Sequence, residues 1–195
     1  MPVVQRKRTP DKILDAAEAR FAAHGFAGTS LGDVADDVGI RPPSLYKHFR
    51  SKQALYLAVL ERLLDPYFAL LDEVLTVPED AAQAERNLEA VVTHYLRTPN
   101  LANLVQHAAL AGGKPLDLLV TRWYGPLFAR ARRLTRASGS ADPAALVLAF
   151  HSMMSGYVTM ASLHQRLAGR DPRSPRSVAH FIELLRSLTR GLWNA

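Results

Sequence analysis

The chain has 195 residues, 48% of them hydrophobic and 22% charged, a balance that excludes a disordered or low-complexity protein. It contains no cysteine, which excludes disulfides, thiolate zinc sites and cysteine nucleophiles. The formal net charge is +6, and residues 1–52 hold nine Lys/Arg against six Asp/Glu, so basic density is highest at the N-terminus, as contact with a polyanion requires. Arg6-Lys7-Arg8 is followed by Thr9-Pro10-Asp11 rather than an apolar secretory core, and no apolar run nears the ~18 residues of a membrane span. A soluble, cytoplasmic protein with no membrane partner is expected.

Helical spacing dominates and no alternating strand pattern is present, so the fold class is all-α with about nine helices. Thr9 reads as the N-cap of the first helix, Pro10 as its first position, and Ile13, Leu14, Ala17 and Phe21 as one apolar face ending at Gly25. Ser30 and Asp33 form a capping box for a second, short helix through Val34, Ala35 and Val38, ended by Gly39. Pro42 or Pro43 opens a third helix with Leu45 and Phe49 four apart on its buried side. A long helix from Ser51 to about Val74 is expected to bend near Pro66. Further helices are predicted over 80–97, 100–111, 115–137, 143–168 and 175–193, separated by Pro, Gly and Ser punctuation. The division is a small unit, 1–50, and a larger one, 51–195.

With Leu45 and Phe49 turned inward, Ser44, Lys47 and His48 must project from the other side of the third helix, giving a small, polar, basic face. Such a face suits a major groove, where lysine donates to guanine, serine pairs with several bases and a proline ring touches a thymine methyl. The stretch from Val38 to Lys52 resembles the turn and recognition helix of TetR-family transcriptional regulators. The resemblance extends upstream through Phe21 to Phe26, matching a Phe-x-x-x-Gly-Phe pattern, and through Thr29-Ser30, matching the pair that opens the second helix.

That resemblance implies a helix-turn-helix unit in which Pro43, Ser44, Lys47 and His48 read bases while Thr29, Ser30, Tyr46 and Lys52 hold phosphates. Gly32 stands where some relatives carry a base-contacting arginine, and Arg41 could substitute from the turn. The Arg6-Lys7-Arg8 arm could add electrostatic grip or enter a minor groove. The implied partners are double-stranded operator DNA, a second copy of the chain and a small-molecule effector, with no cofactor and no metal.

In the larger unit, helix 143–168 is apolar on more than one face, and helix 175–193 carries an apolar stripe. Phe150, Met153, Val158, Phe181, Leu185 and Leu188 are therefore the candidate homodimer interface. His94, His107, Trp123, Tyr124, His151, Met154 and Tyr157 are the candidate lining of an effector pocket: apolar, with a few hydrogen-bonding tips. Arg130, Arg132, Arg133 and Arg136 read as a solvated helix face. The competing reading, an all-helical enzyme using His94, His107 or His151, lacks an H-E-x-x-H motif, and Gly112-Gly113-Lys114-Pro115 lacks the features of a phosphate loop. A regulator that activates, or one without a ligand, is the remaining variant of the first reading.

Overall fold

The computed structural model describes residues 8–76, 80–138 and 143–193. Among these, ten helices and no strand are present. They are α1 (Thr9–His24), α2 (Leu31–Val38), α3 (Pro42–Tyr46), α4 (Lys52–Val74), α5 (Ala81–Arg97), α6 (Pro99–Ala111), α7, α8 (Pro143–Thr159), α9 (Ala161–Ala168) and α10 (Pro175–Trp193). The seventh is composite: Gly113–Leu119, a π turn over Val120–Tyr124, and Gly125–Ser138.

Three expectations are corrected. Arg8, with extended backbone, occupies the N-cap of α1, because Thr9 is already helical. The single helix expected over 143–168 is two, parted at Met160, which leaves helical geometry at φ −96°, ψ 17°. The cause lies one turn upstream, where the Thr159 hydroxyl donates to the Ser155 carbonyl at 2.9 Å, a back-bond that bends helices, beside the poor helix former Gly156. That break raises the count from nine to ten, and α7 starts at Gly113 rather than at 115. The predicted capping box is present, with Asp33 N–H donating to Ser30 Oγ at 3.0 Å and Ser30 N–H to Asp33 Oδ2 at 3.2 Å.

α4 stays one helix across Pro66 and serves both halves of the molecule. Its first turns bury Leu55, Tyr56, Val59 and Leu60 against α1, and its later ones bury Leu64 and Tyr67 against α5 and α7. Phe21 and Phe26 each meet Tyr56 edge-on at a 5.0 Å centroid separation where α1 crosses α4, and burial pushes the Tyr56 phenol up to about 12. One continuous core runs from Ile13 through Leu104 to Met154 and Leu185.

Polar contacts fix the same junction. Arg62 on α4 donates to Asp15 Oδ1 at 2.8 Å, to the Leu14 carbonyl at 3.2 Å, and to Glu18, which also accepts from Asn100 Nδ2 of α6 at 2.8 Å. Arg20 forks onto Asp37 at 2.6 and 2.8 Å, tying α1 to α2.

α10 packs its stripe inward against α5, so Phe181 and Leu185 are buried within the chain, as is Val158 on α8. Those three expected interface residues are buried within the chain here; for Phe181 and Leu185 the reason is that a stripe can cover only one neighbour and α5 takes it. Phe150 is half-buried, Met153 is exposed, and the Leu188 side chain lies outside the described ones. The outward residues of α8 and α9 include Leu148, Met153, Met160, Leu163 and Leu167, joined by Leu184 on α10.

Candidate nucleic-acid interface and effector site

The recognition element is built by two tight turns. Gly25 ends α1 at φ +68°, and the Thr29 hydroxyl donates to its carbonyl at 3.0 Å. Gly28 cannot be anything larger, since a Cβ would lie 2.5 Å from the His24 carbonyl oxygen. Gly39 ends α2 in the left-handed region at φ +72°, with its N–H on the Ala35 and Asp36 carbonyls, and the chain reverses into α3. α3 has five residues, a proline pair at its start and one buried side chain, Leu45.

Around that anchor, Arg41, Pro43, Tyr46, Lys47 and His48 are exposed and Ser44 is half-exposed. Lys47 and His48 fall in the turn that follows the helix, held by His48 and Phe49 N–H bonds to the Leu45 carbonyl at 2.9 and 3.0 Å. Beside this face lies a cleft of about 700 Å³ bordered by Ala27–Asp33, Tyr46, Arg50, Ser51 and Lys52. The N-termini of α2, capped by Ser30, and of α4, capped by Ser51 at 3.1 Å from Ala54 N, both open onto it. Helix N-termini with nearby cations attract phosphate.

Two assigned phosphate contacts change character. Thr29 is 2% exposed with its hydroxyl bound to Gly25, so its side chain shapes the cleft instead of facing an incoming anion. Lys52 Nζ lies 4.6 Å over the Phe26 ring and donates to the Ala27 carbonyl at 3.3 Å, which positions the ammonium at the rim. Arg50, which the sequence reading passed over, also borders the cleft. Arg6 and Lys7 lie outside the described residues; Arg8 is exposed and 3.5 Å from Asp11.

The candidate pocket residues are distributed over three places. His107 lies against Gly25, where a Cβ would meet its Nδ1 at 3.3 Å, at the junction of α1 and α6. Tyr157 stacks on Phe181 at 4.0 Å and donates to the Pro172 carbonyl at 3.0 Å, pinning α8 to the start of α10. His94, Tyr124 and His151 do converge, between α4, α5, α7 and α8. Tyr124 Oη is 3.3 Å from His151 Nε2, and His94 stacks on Tyr67 at 6.2 Å. Tyr67, Phe68 and Tyr95 complete this cluster, with Tyr67 and Tyr95 5.1 Å apart and Tyr95 edge-on to His151 at 6.1 Å. Trp123 borders it from outside and donates its indole N–H to Asp65 at 2.7 Å, while Met154 is wholly buried. The three sequence-missed residues sit at ordinary core positions of their helices, so no local signal marked them. Among the described residues no group of His, Asp and Glu is arranged to hold a metal.

Burial holds His151 and His94 below the usual imidazole value of 6.5, because a charged ring would lose its hydration there. Below pH 6.5 the unfolded chain therefore binds protons that the folded one refuses, so stability is full above that value and falls with falling pH. The melting temperature should drop between pH 7.5 and 5.5, and His151→Gln should flatten the slope. Equal melting at both pH values would refute the neutral assignment. Asp33 and Asp37, both held below 3.8 by their partners, respond only at lower pH.

Residues 13–59 match the family profile described as "Bacterial regulatory proteins, tetR family". This segment is a TetR-family domain. The HTH-type transcriptional repressor ComR of Escherichia coli (strain K12) is 35% identical over 74 residues, which are 38% of this chain and 35% of that protein. The matched segment thus spans about a third of the curated relative. Solved TetR-type structures extend the likeness in fold alone. A TetR-like transcriptional regulator from Rhodococcus sp. RHA1 superposes with a TM-score of 0.67 at 21% identity, covering 98% of this chain and all of that one. The SmeT–triclosan complex superposes at 0.57 with 24% identity, covering 83% of each chain. The described chain therefore has the fold of these solved structures, while the family profile matches residues 13–59.

Proposed function

We propose that the chain is a cytoplasmic homodimeric repressor: residues 1–50 grip a palindromic operator, and a small molecule bound within residues 51–195 releases it. The observation that carries the reading is the adjacency of the exposed Pro43–His48 face and the cleft at the two capped helix N-termini. One supplies base readout, and the other supplies a phosphate seat that sets register. Arg41 projects from the turn between α2 and α3, able to replace the contact that Gly32 lacks. The bound small molecule of the SmeT neighbour supports an effector in the larger unit.

Dimerisation uses the outward face of α8 to α10, which keeps Met153 of the residues the sequence pointed to and leaves out the buried Val158, Phe181 and Leu185. Leu148, Met160, Leu163, Leu167 and Leu184 are exposed together, a set that a second copy would cover by two-fold symmetry. The recognition helices of such a dimer must lie about 34–36 Å apart to reach successive major grooves. The ligand acts through its differential affinity for the conformations that do and do not meet this spacing.

The test is a gel-shift titration of the purified protein with duplex DNA from upstream of its own gene, against a shuffled duplex, at moderate salt. Preference for the first is expected, and Leu148→Glu should yield a monomer that loses it. Equal affinity for the two duplexes refutes the reading; a Leu148→Glu variant that stays dimeric moves the interface elsewhere.

A further inference from the structure

α7 widens into its π turn at one place, and the widening depends on Gly125. The Gly125 N–H donates back to the Val120 carbonyl, and a Cβ at 125 would come within 2.8 Å of that oxygen. Such turns occur frequently at functional sites. Here the turn sends consecutive aromatic residues to different places. Trp123 borders an open groove of about 380 Å³ between α4 and α7, and Tyr124 reaches inward to His151.

Phe68 belongs to both places. It lines the groove, and its ring also meets Tyr124 edge-on at 5.1 Å and Tyr67 at 5.6 Å. Behind it the cluster has hydrogen-bonding capacity it does not use. Tyr95 is wholly buried, and among the described residues neither its hydroxyl nor His94 Nε2 has a hydrogen-bond partner. No carboxylate, lysine or arginine makes a hydrogen bond or ion pair with Tyr67, Tyr95, Tyr124, His94 or His151 among the described residues. The charged groups stay at the groove mouth, where Arg130 pairs with Asp72 at 2.5 Å and Arg122 with Glu61.

We infer that Phe68 gates an effector site for an uncharged, planar aromatic alcohol. The molecule enters along the groove, displaces the Phe68 ring, stacks among the tyrosines and hydrogen-bonds through its hydroxyl to the Tyr95 hydroxyl and His94 Nε2. Ring faces supply the walls, which selects a flat ligand. The lack of any ionic partner selects a neutral one, since a buried unpaired charge is disfavoured far more than a satisfied hydroxyl. This inference rests on the sensing half of the function proposed above and specifies the chemistry of its effector.

The experiment titrates the full-length protein with 2-naphthol, 2-naphthoate and 2-(aminomethyl)naphthalene, which are similar in size and differ in charge, reading Trp fluorescence and melting temperature. Saturable binding of 2-naphthol with a raised melting temperature is expected, with both charged analogues at least tenfold weaker. Tyr95→Phe, which keeps the packing, should weaken 2-naphthol by about three- to tenfold, the worth of one hydrogen bond. Phe68→Ala should bind and release it faster, and Gly125→Ala should lose binding with the π turn. Equal or tighter binding of a charged analogue overturns the inference, as does a Tyr95→Phe variant with unchanged affinity. Absence of 2-naphthol binding in protein that still prefers its own upstream DNA also overturns it while leaving the regulator reading intact. Absence of that DNA preference refutes the regulator reading, whatever naphthol does.

Discussion

Leu45→Ala is expected to destabilise the protein by about 2–5 kcal/mol, the range for a buried leucine whose cavity cannot fully collapse. Leu45 is 0% exposed and is the only buried side chain of a five-residue helix. A helix that short has no intrinsic stability in water, so its position depends on this one anchor and on Phe49 beside it. At roughly 2–4 °C per kcal/mol for a chain of this size, the melting temperature should fall by about 4–20 °C. Operator binding should be lost even at temperatures where circular dichroism shows the remaining helices intact, because the reading face is displaced while the long core helices hold. Unchanged DNA binding in the variant would mean that the Pro43–His48 face is not the reading surface.

Lys47→Ala is expected to act on affinity with little effect on stability, since the side chain is exposed and outside the core. A well-placed lysine-to-guanine contact is worth about 1–3 kcal/mol, and a two-fold dimer carries the substitution twice. The loss on operator should therefore be about 2–6 kcal/mol, roughly 30-fold to 10⁴-fold, with little change on random duplex. A base contact and a phosphate contact separate cleanly here. If Lys47 grips phosphate, binding weakens on every sequence and the salt dependence becomes shallower by about one ion per half-site. Equal loss on operator and random duplex would remove Lys47 from base readout.

The first 60 residues were legible because each turn there is set by local chemistry. A Ser-x-x-Asp box, glycines at Gly25 and Gly39, and prolines at α3 act within a few residues of chain, and the structure has them where the sequence placed them. What failed were the judgements that depend on a partner element. Phe181 and Leu185 read as a free apolar stripe, but a stripe does not state what covers it, and α5 does. Thr29 carries the right donor for phosphate, yet its nearest acceptor is the carbonyl four residues back. His107 and Tyr157 have the right chemistry for a pocket and sit at helix junctions instead. Tyr95 was invisible because tyrosine at a core position of an amphipathic helix looks like packing until its hydroxyl is seen without a partner.

The grip of Arg62 and Asn100 on α1 bears on portability. Residues 1–50 hold Asp15 and Glu18, whereas Arg62 and Asn100, which bond to them, lie in residues 51–195. A hybrid that transplants the first 50 residues onto a foreign sensor carries two carboxylates away from the guanidinium and amide that neutralise and orient them. Residues 1–50 are therefore expected not to behave as an interchangeable cassette: a faithful graft should bring the turn of α4 that holds Arg62 along and restore an amide where α6 begins.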